Sequence, residues 1–104
     1  MMIQFNTDHN IHGHEALEAK FSTIISEGLN RFSPQMTRVE VHLSDETAHK
    51  GGLNDKRCLL EARLEGMHPI AVSHHANNHE LAVKGAINKL KTSIDSKIGH
   101  LKNH

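Results

Sequence analysis

The chain predicts an α+β fold of order β-α-β-β-β-α: a four-stranded sheet with two helices packed on one of its faces. Three patterns predict it. Two stretches repeat apolar residues every three or four positions, four short segments carry strand signals, and the order of the six follows a strand, a helix, three strands and a helix. Each helix has a single apolar stripe, so one sheet face can cover both. The opposite face is left to solvent or a partner and displays Arg38, Glu40, His42, Arg57, Glu61 and Arg63.

Ile3 and Phe5 alternate with Met2, Gln4 and Asn6, which places a first strand over residues 2–7, followed by a polar turn through Asp8, Asn10 and Gly13. Leu17, Phe21, Ile24, Ile25, Leu29 and Phe32 then share one helical face. Glu15 and Glu18 stand near the N-terminus, where negative charge suits the helix dipole. This predicts a helix over 14–31, stopped by Ser33-Pro34 and weakened near Gly28. Thr37 to Leu43 alternates strictly, with Val39, Val41 and Leu43 inward. Ser44 through Asp55 is polar, contains Gly51-Gly52 and is too long for a tight hairpin, so a mobile loop is expected. Lys56 to Glu65 alternates again, with Cys58, Leu60, Ala62 and Leu64 on one face. Gly66 supplies a turn, and Met67 to Ser73 reads as a fourth strand. Pro69 cannot donate to a ladder, so that strand begins there or lies at an edge.

The last quarter, Asn77 to His104, reads as one long amphipathic helix. Val83, Ile87, Leu90, Ile94, Ile98 and Leu101 form its stripe, and Asn77 with Glu80 has the spacing of an N-terminal capping pair. The formal charge of the chain is zero, yet this segment holds Lys84, Lys89, Lys91, Lys97 and Lys102 against only Glu80 and Asp95. A neutral composition therefore conceals a basic helix. Lys84, Lys91 and Lys102 align on one edge of the apolar stripe with Asn88 and Asp95 between them, while Lys89 and Lys97 lie round the other side. Lysines on an exposed helix side are commonly just a solvated face; they also form a ridge that can follow a phosphate backbone.

Composition narrows the function classes. A length of 104 residues suits one domain, residues 1–104, with one core and no staples. A lone Cys58 in an apolar run excludes an intramolecular disulfide framework and reads as a buried hydrophobe, so a reducing cytoplasm is the expected home. The N-terminus lacks the pattern of an export signal, and no apolar run approaches the 18 or so residues of a membrane span. With three Phe and neither Trp nor Tyr, widespread base stacking is excluded, and any nucleic-acid contact is expected to be mainly to phosphates.

Eleven histidines invite a metal reading, with His12, His14, His74, His75 and His79 as candidates. Their spacing matches neither zinc-protease nor finger patterns, so no metal or other cofactor is assigned, and a module using His74, His75 and His79 stands as an alternative. A protein-interaction domain using the bare sheet face is a third reading. There is no nucleophile elbow, no Gly-rich loop opening a helix and no paired carboxylates in a cleft, so no enzyme is expected.

Four segments, in order and spacing, resemble a known family: Ile3-Gln4-Phe5-Asn6; Arg31-Phe32 before Arg38-Val39-Glu40-Val41-His42-Leu43; Leu60-Glu61-Ala62-Arg63-Leu64-Glu65-Gly66; and Ala82-Val83-Lys84-Gly85-Ala86-Ile87-Asn88-Lys89-Leu90. The chain resembles the ribosome hibernation-promoting factors, also called ribosome-associated inhibitors or subunit-interface proteins, over nearly its whole length. The resemblance implies a cytoplasmic monomer or weak homodimer with no membrane or DNA partner. It would bind ribosomal RNA of the small subunit in the channel of messenger and transfer RNA, under stress or in stationary phase. It also implies the short form, without the additional C-terminal domain of long forms. Lys89 is then the first expected RNA contact, followed by Lys91, Lys84 and Lys97, with Arg38, Arg57 and Arg63 behind them. The chain departs from the family at Glu80, where members carry an aromatic residue, at Thr92, where they carry arginine, and at Glu18 and Glu27, where basic residues are common.

Overall fold

A computed structural model of the chain describes residues 1–8, 11, 14–46 and 55–102. Its elements are β1 (Met2–Thr7), α1 (His14–Gly28), a 3-10 turn (Asn30–Phe32), β2 (Met36–Asp45), β3 (Lys56–Leu64), β4 (Ile70–Ala76) and α2 (His79–Lys102). The strands form one sheet in the order β1-β2-β3-β4. The β1–β2 pair, joined through α1, is parallel with Ile3 opposite Val39; β2–β3 and β3–β4 are antiparallel, with Val41 opposite Leu60 and Leu60 opposite Val72. The expected α+β architecture and element order are present.

Alternation decides which face is dry. Val39, Val41, Leu43, Cys58, Leu60 and Ala62 are almost wholly buried beneath the helices, which contribute Phe21, Ile25, Val83, Leu90 and Ile94, with Leu29 just beyond α1. Burying each large aliphatic or aromatic side chain contributes about 1.5–3 kcal/mol. Ala82 and Ala86 are buried too, which widens the α2 stripe on the side where the helix lies over β3 and β4.

Several boundaries differ from the sequence expectation. The α-helical part of α1 stops at Gly28, and the chain tightens into the 3-10 turn, with Phe32 N–H donating to Leu29 O at 3.0 Å. Strand β4 starts after Pro69, lies at the sheet edge and runs to Ala76, three residues beyond the expected end at Ser73. The extension moves the start of α2. Asn78, not Asn77, is the cap: its Oδ1 accepts from Leu81 N–H at 2.8 Å, while Glu80 engages lysines instead of closing a capping box. Gly66 has φ +75°, the left-handed position of the tight turn from β3 into β4, where Met67 N–H donates to Leu64 O at 3.2 Å.

The expected mobile loop at 44–55 falls largely outside the described residues, at 47–54. Its two ends are ordered parts of the fold: Ser44 and Asp45 belong to β2, and Asp55 is buried. Lys56 Nζ reaches Asp45 Oδ2 at 3.0 Å and Asp55 Oδ2 at 3.1 Å, so one half-buried ammonium ties the ends of β2 and β3 together.

Candidate nucleic-acid interface

The seven cations expected to contact RNA separate into two groups on opposite sides of the sheet. Inward Val39, Val41 and Cys58 force their neighbours outward, so Arg38, Arg57 and Arg63 stand on the open face. There they are interleaved with carboxylates: Arg38 pairs with Glu40 at 3.1 Å, Arg63 with Glu61 at 3.4 Å and Glu40 at 3.7 Å, and Arg57 with Glu46 at 3.5 Å. Like charges also face each other across the β2–β3 ladder, Arg38 opposite Arg63 and Glu40 opposite Glu61. Ion pairs along and across strands offset that repulsion.

Lys84, Lys89, Lys91 and Lys97 stand on α2, in the helix layer. The helix brings them to different edges. Lys89 turns toward β4, where its ammonium donates to Ser73 O at 2.9 Å, alongside Asn88, Thr92 and Ser93. Lys84 lies on the α1 side and pairs with Glu80 at 2.9 Å, one turn earlier. Lys91 is half-buried and close enough to Asp95 to help hold its carboxylate ionised; Lys97 is exposed and makes no ion pair with a described residue.

Two further cations, which the sequence reading omitted, complete the α1 side. Lys20 of α1 also pairs with Glu80, and Arg31, just beyond α1, grips both oxygens of Asp95 at 2.9 and 2.7 Å. The Arg31 guanidinium also lies 4.3 Å above the Phe32 ring. Hydrogen bonds from Lys20 and then Lys84 hold the Glu80 carboxyl down to about 2, and the Arg31 fork holds Asp95 below its ordinary value. The result is a row along the seam between the two helices: Lys20, Glu80 and Lys84 at one end, Arg31, Asp95 and Lys91 further along. The signal for Lys20 was its place on the edge of α1 beside the apolar stripe; counting charge on α2 alone hides it.

Of the candidate histidines, His12 and the side chain of His14 lie outside the described residues, and the other three do not converge. His74 points inward, its ring against Gly85 of α2; His75 points outward, its Nε2–H donating to Glu46 at 3.1 Å; His79 donates to Ser44 O at 3.2 Å. Among the described residues no three His, Cys, Asp or Glu side chains are grouped to hold a metal ion. Cys58 is buried, and desolvation pushes its thiol up to about 12, which suits a core residue and not a nucleophile. No described helix is long and apolar enough to cross a membrane.

The family model described as sigma 54 modulation protein / S30EA ribosomal protein matches residues 5–102. The chain belongs to that family. Solved structures share its fold. The N-terminal domain of Thermus thermophilus Protein Y aligns with TM-score 0.72 at 18% identity, covering 92% of this chain and 98% of that one. A ribosomal subunit interface protein from Coxiella burnetii aligns with TM-score 0.67 at 16% identity, covering 95% and 99%. No curated protein sequence gives a significant match. In this member of the S30EA family the helix seam carries cations from both helices and from the turn after α1, while the arginines of the open sheet face are matched by Glu40, Glu46 and Glu61.

Proposed function

We propose that this protein is a ribosome-associated factor that binds ribosomal RNA of the small subunit with its helix layer, in the channel used by messenger and transfer RNA, and represses translation under stress or in stationary phase. On this reading residues 1–104 act as one cytoplasmic binding domain, a monomer or weak homodimer, that catalyses no reaction and needs no cofactor, membrane or DNA. Membership of the S30EA family supports a ribosomal partner. The observation that carries the choice of surface is the cation row along the helix seam, with Lys89 on the β4 edge and Lys97 as further cations of α2. Phosphates are the fitting ligand, because the described surface offers lysine and arginine without exposed aromatic platforms.

Co-sedimentation with small ribosomal subunits across a salt series tests the reading. Binding is expected at low salt and falls steeply as salt rises, since each phosphate contact releases about one counterion. Replacing Lys89 and Lys91 together by Glu weakens binding about tenfold or more and flattens the salt slope by about 1.5 for two lost contacts. A folded double variant that sediments like the parent protein removes the assigned role from this helix.

A further inference from the structure

The seam has an unusual arrangement: both of its cation clusters are closed around a carboxylate of α2. Glu80 lies between Lys20 of α1 and Lys84 of α2, and Asp95 is held through both oxygens by Arg31 while Lys91 stands near it. A guanidinium fork of this kind fits a carboxylate and a phosphate by the same geometry, and an ammonium between two helices serves either anion. Fifteen residues of helix separate the two carboxylates, about 22 Å at 1.5 Å per residue. That span matches an extended polyanion better than one small ion.

We infer that Glu80 and Asp95 are built-in competitors of the polyanion: each occupies, among cations drawn from both sides of the seam, the position a backbone phosphate takes when the nucleic acid docks on the α1–α2 seam. The inference rests on the proposed helix-layer binding and adds Lys20 and Arg31 to it. Because each carboxylate is part of the fold, it is present at high local concentration at all times, and an incoming phosphate must displace it or share its cations. The protein therefore binds more weakly, and with a shallower salt dependence, than its cation count alone allows. Competition of this kind makes occupancy sensitive to the density of phosphate presented: a folded RNA surface displaces both carboxylates together, whereas mononucleotides or short strands engage one cluster at most.

The test compares the full chain with Glu80→Gln, Asp95→Asn and the double variant, by co-sedimentation with small ribosomal subunits over a salt series and by elution from immobilised heparin. Glu61→Gln is the control for each single variant and Glu40→Gln with Glu61→Gln for the double, since these remove the same charge from ion pairs on the opposite side of the sheet. The double variant is expected to bind subunits about tenfold more tightly, with a salt slope steeper by about one to two, as two further phosphates are engaged. It also leaves heparin at higher salt than Glu40→Gln with Glu61→Gln. Adding Lys20→Met to Glu80→Gln returns elution toward the parent value. Thermal melts identify variants whose binding is to be compared as folded; if either double change unfolds the chain, the single variants decide. No gain from the seam variants, or an equal gain from the sheet-face variants that remove the same number of charges, overturns the inference, because net charge then accounts for the result. Should the parent protein fail to sediment with subunits at any salt, the ribosomal reading falls, while the heparin comparison still decides whether Glu80 and Asp95 mask the seam.

Discussion

Gly85 lets α2 lie directly against the His74 ring of β4: a Cβ at that position would overlap the imidazole. Two effects oppose each other in Gly85→Ala. Alanine gains about 1 kcal/mol of helix propensity, and overpacking a well-filled site costs about 1–3 kcal/mol. The ring is clamped between sheet and helix, so the second effect wins, and Gly85→Ala is expected to destabilise the fold by about 1–2 kcal/mol in denaturant titrations. Adding His74→Ala recovers part of that loss; a Gly85→Ala protein more stable than the parent contradicts the packing. This contact was beyond the reach of sequence. A histidine pair looks polar and solvent-facing, and only the matching gap left by a glycine 11 positions later makes one of the pair an inward residue.

Cys58 illustrates the opposite case, a residue whose burial was legible from its place in an alternating apolar run. Burial raises its thiol to about 12 from an ordinary value near 9, with Arg57 opposing. The folded state thus favours the neutral thiol. That contribution is fully present below about pH 9 and is lost as pH rises toward 12, once the unfolded chain can ionise and the core cannot. Stability measured from pH 8 to 11 is expected to fall more steeply for the parent than for Cys58→Ala, whose baseline stability is lower. Parallel slopes in the two proteins would remove the linkage.

Among elements, the two long antiparallel strands and the amphipathic stripes were readable because alternation and 3.6-residue periodicity are local signals. Junctions were not. Whether Asn77 or Asn78 caps α2 depends on where β4 releases the chain, and β4 continues to Ala76 because Lys56 to Ala62 of β3 give it seven partners. The salt-bridged end of the β2–β3 pair was invisible for a similar reason: Asp45 and Asp55 read as loop residues until the strands bring both to Lys56. The cap assignment has a direct consequence. Asn78→Ala removes the acceptor of Leu81 N–H and is expected to cost about 1 kcal/mol, read as a lower thermal midpoint. Asn78→Asp retains an acceptor at the positive end of the helix and keeps the parent value or exceeds it. An Asn78→Ala protein melting with the parent would return the cap to another residue.

The whole molecule presents two charged faces that one flat surface cannot touch together. On the sheet face Arg38, Arg57 and Arg63 are matched by Glu40, Glu46 and Glu61 over 3.1 to 3.7 Å, so approaching phosphates meet as many anions as cations. On the helix side α2 alone holds five lysines against Glu80 and Asp95. Exposed ion pairs are worth little to stability, about 0–1 kcal/mol, so charges on either face can be changed without unfolding the protein. Changing Lys84, Lys91 and Lys97 to Glu is therefore expected to weaken association with small ribosomal subunits by well over about tenfold and to flatten its salt slope by about two. Arg57→Gln with Arg63→Gln, which frees Glu61 and leaves Glu46 with His75, changes affinity less because those arginines are already neutralised in place. The comparison is made at one ionic strength, since a difference of charge contacts grows as salt is lowered. Equal losses from the two sets of variants would mean that the RNA wraps the sheet edge and engages both faces, and the assignment of binding to the helix layer alone would then be wrong.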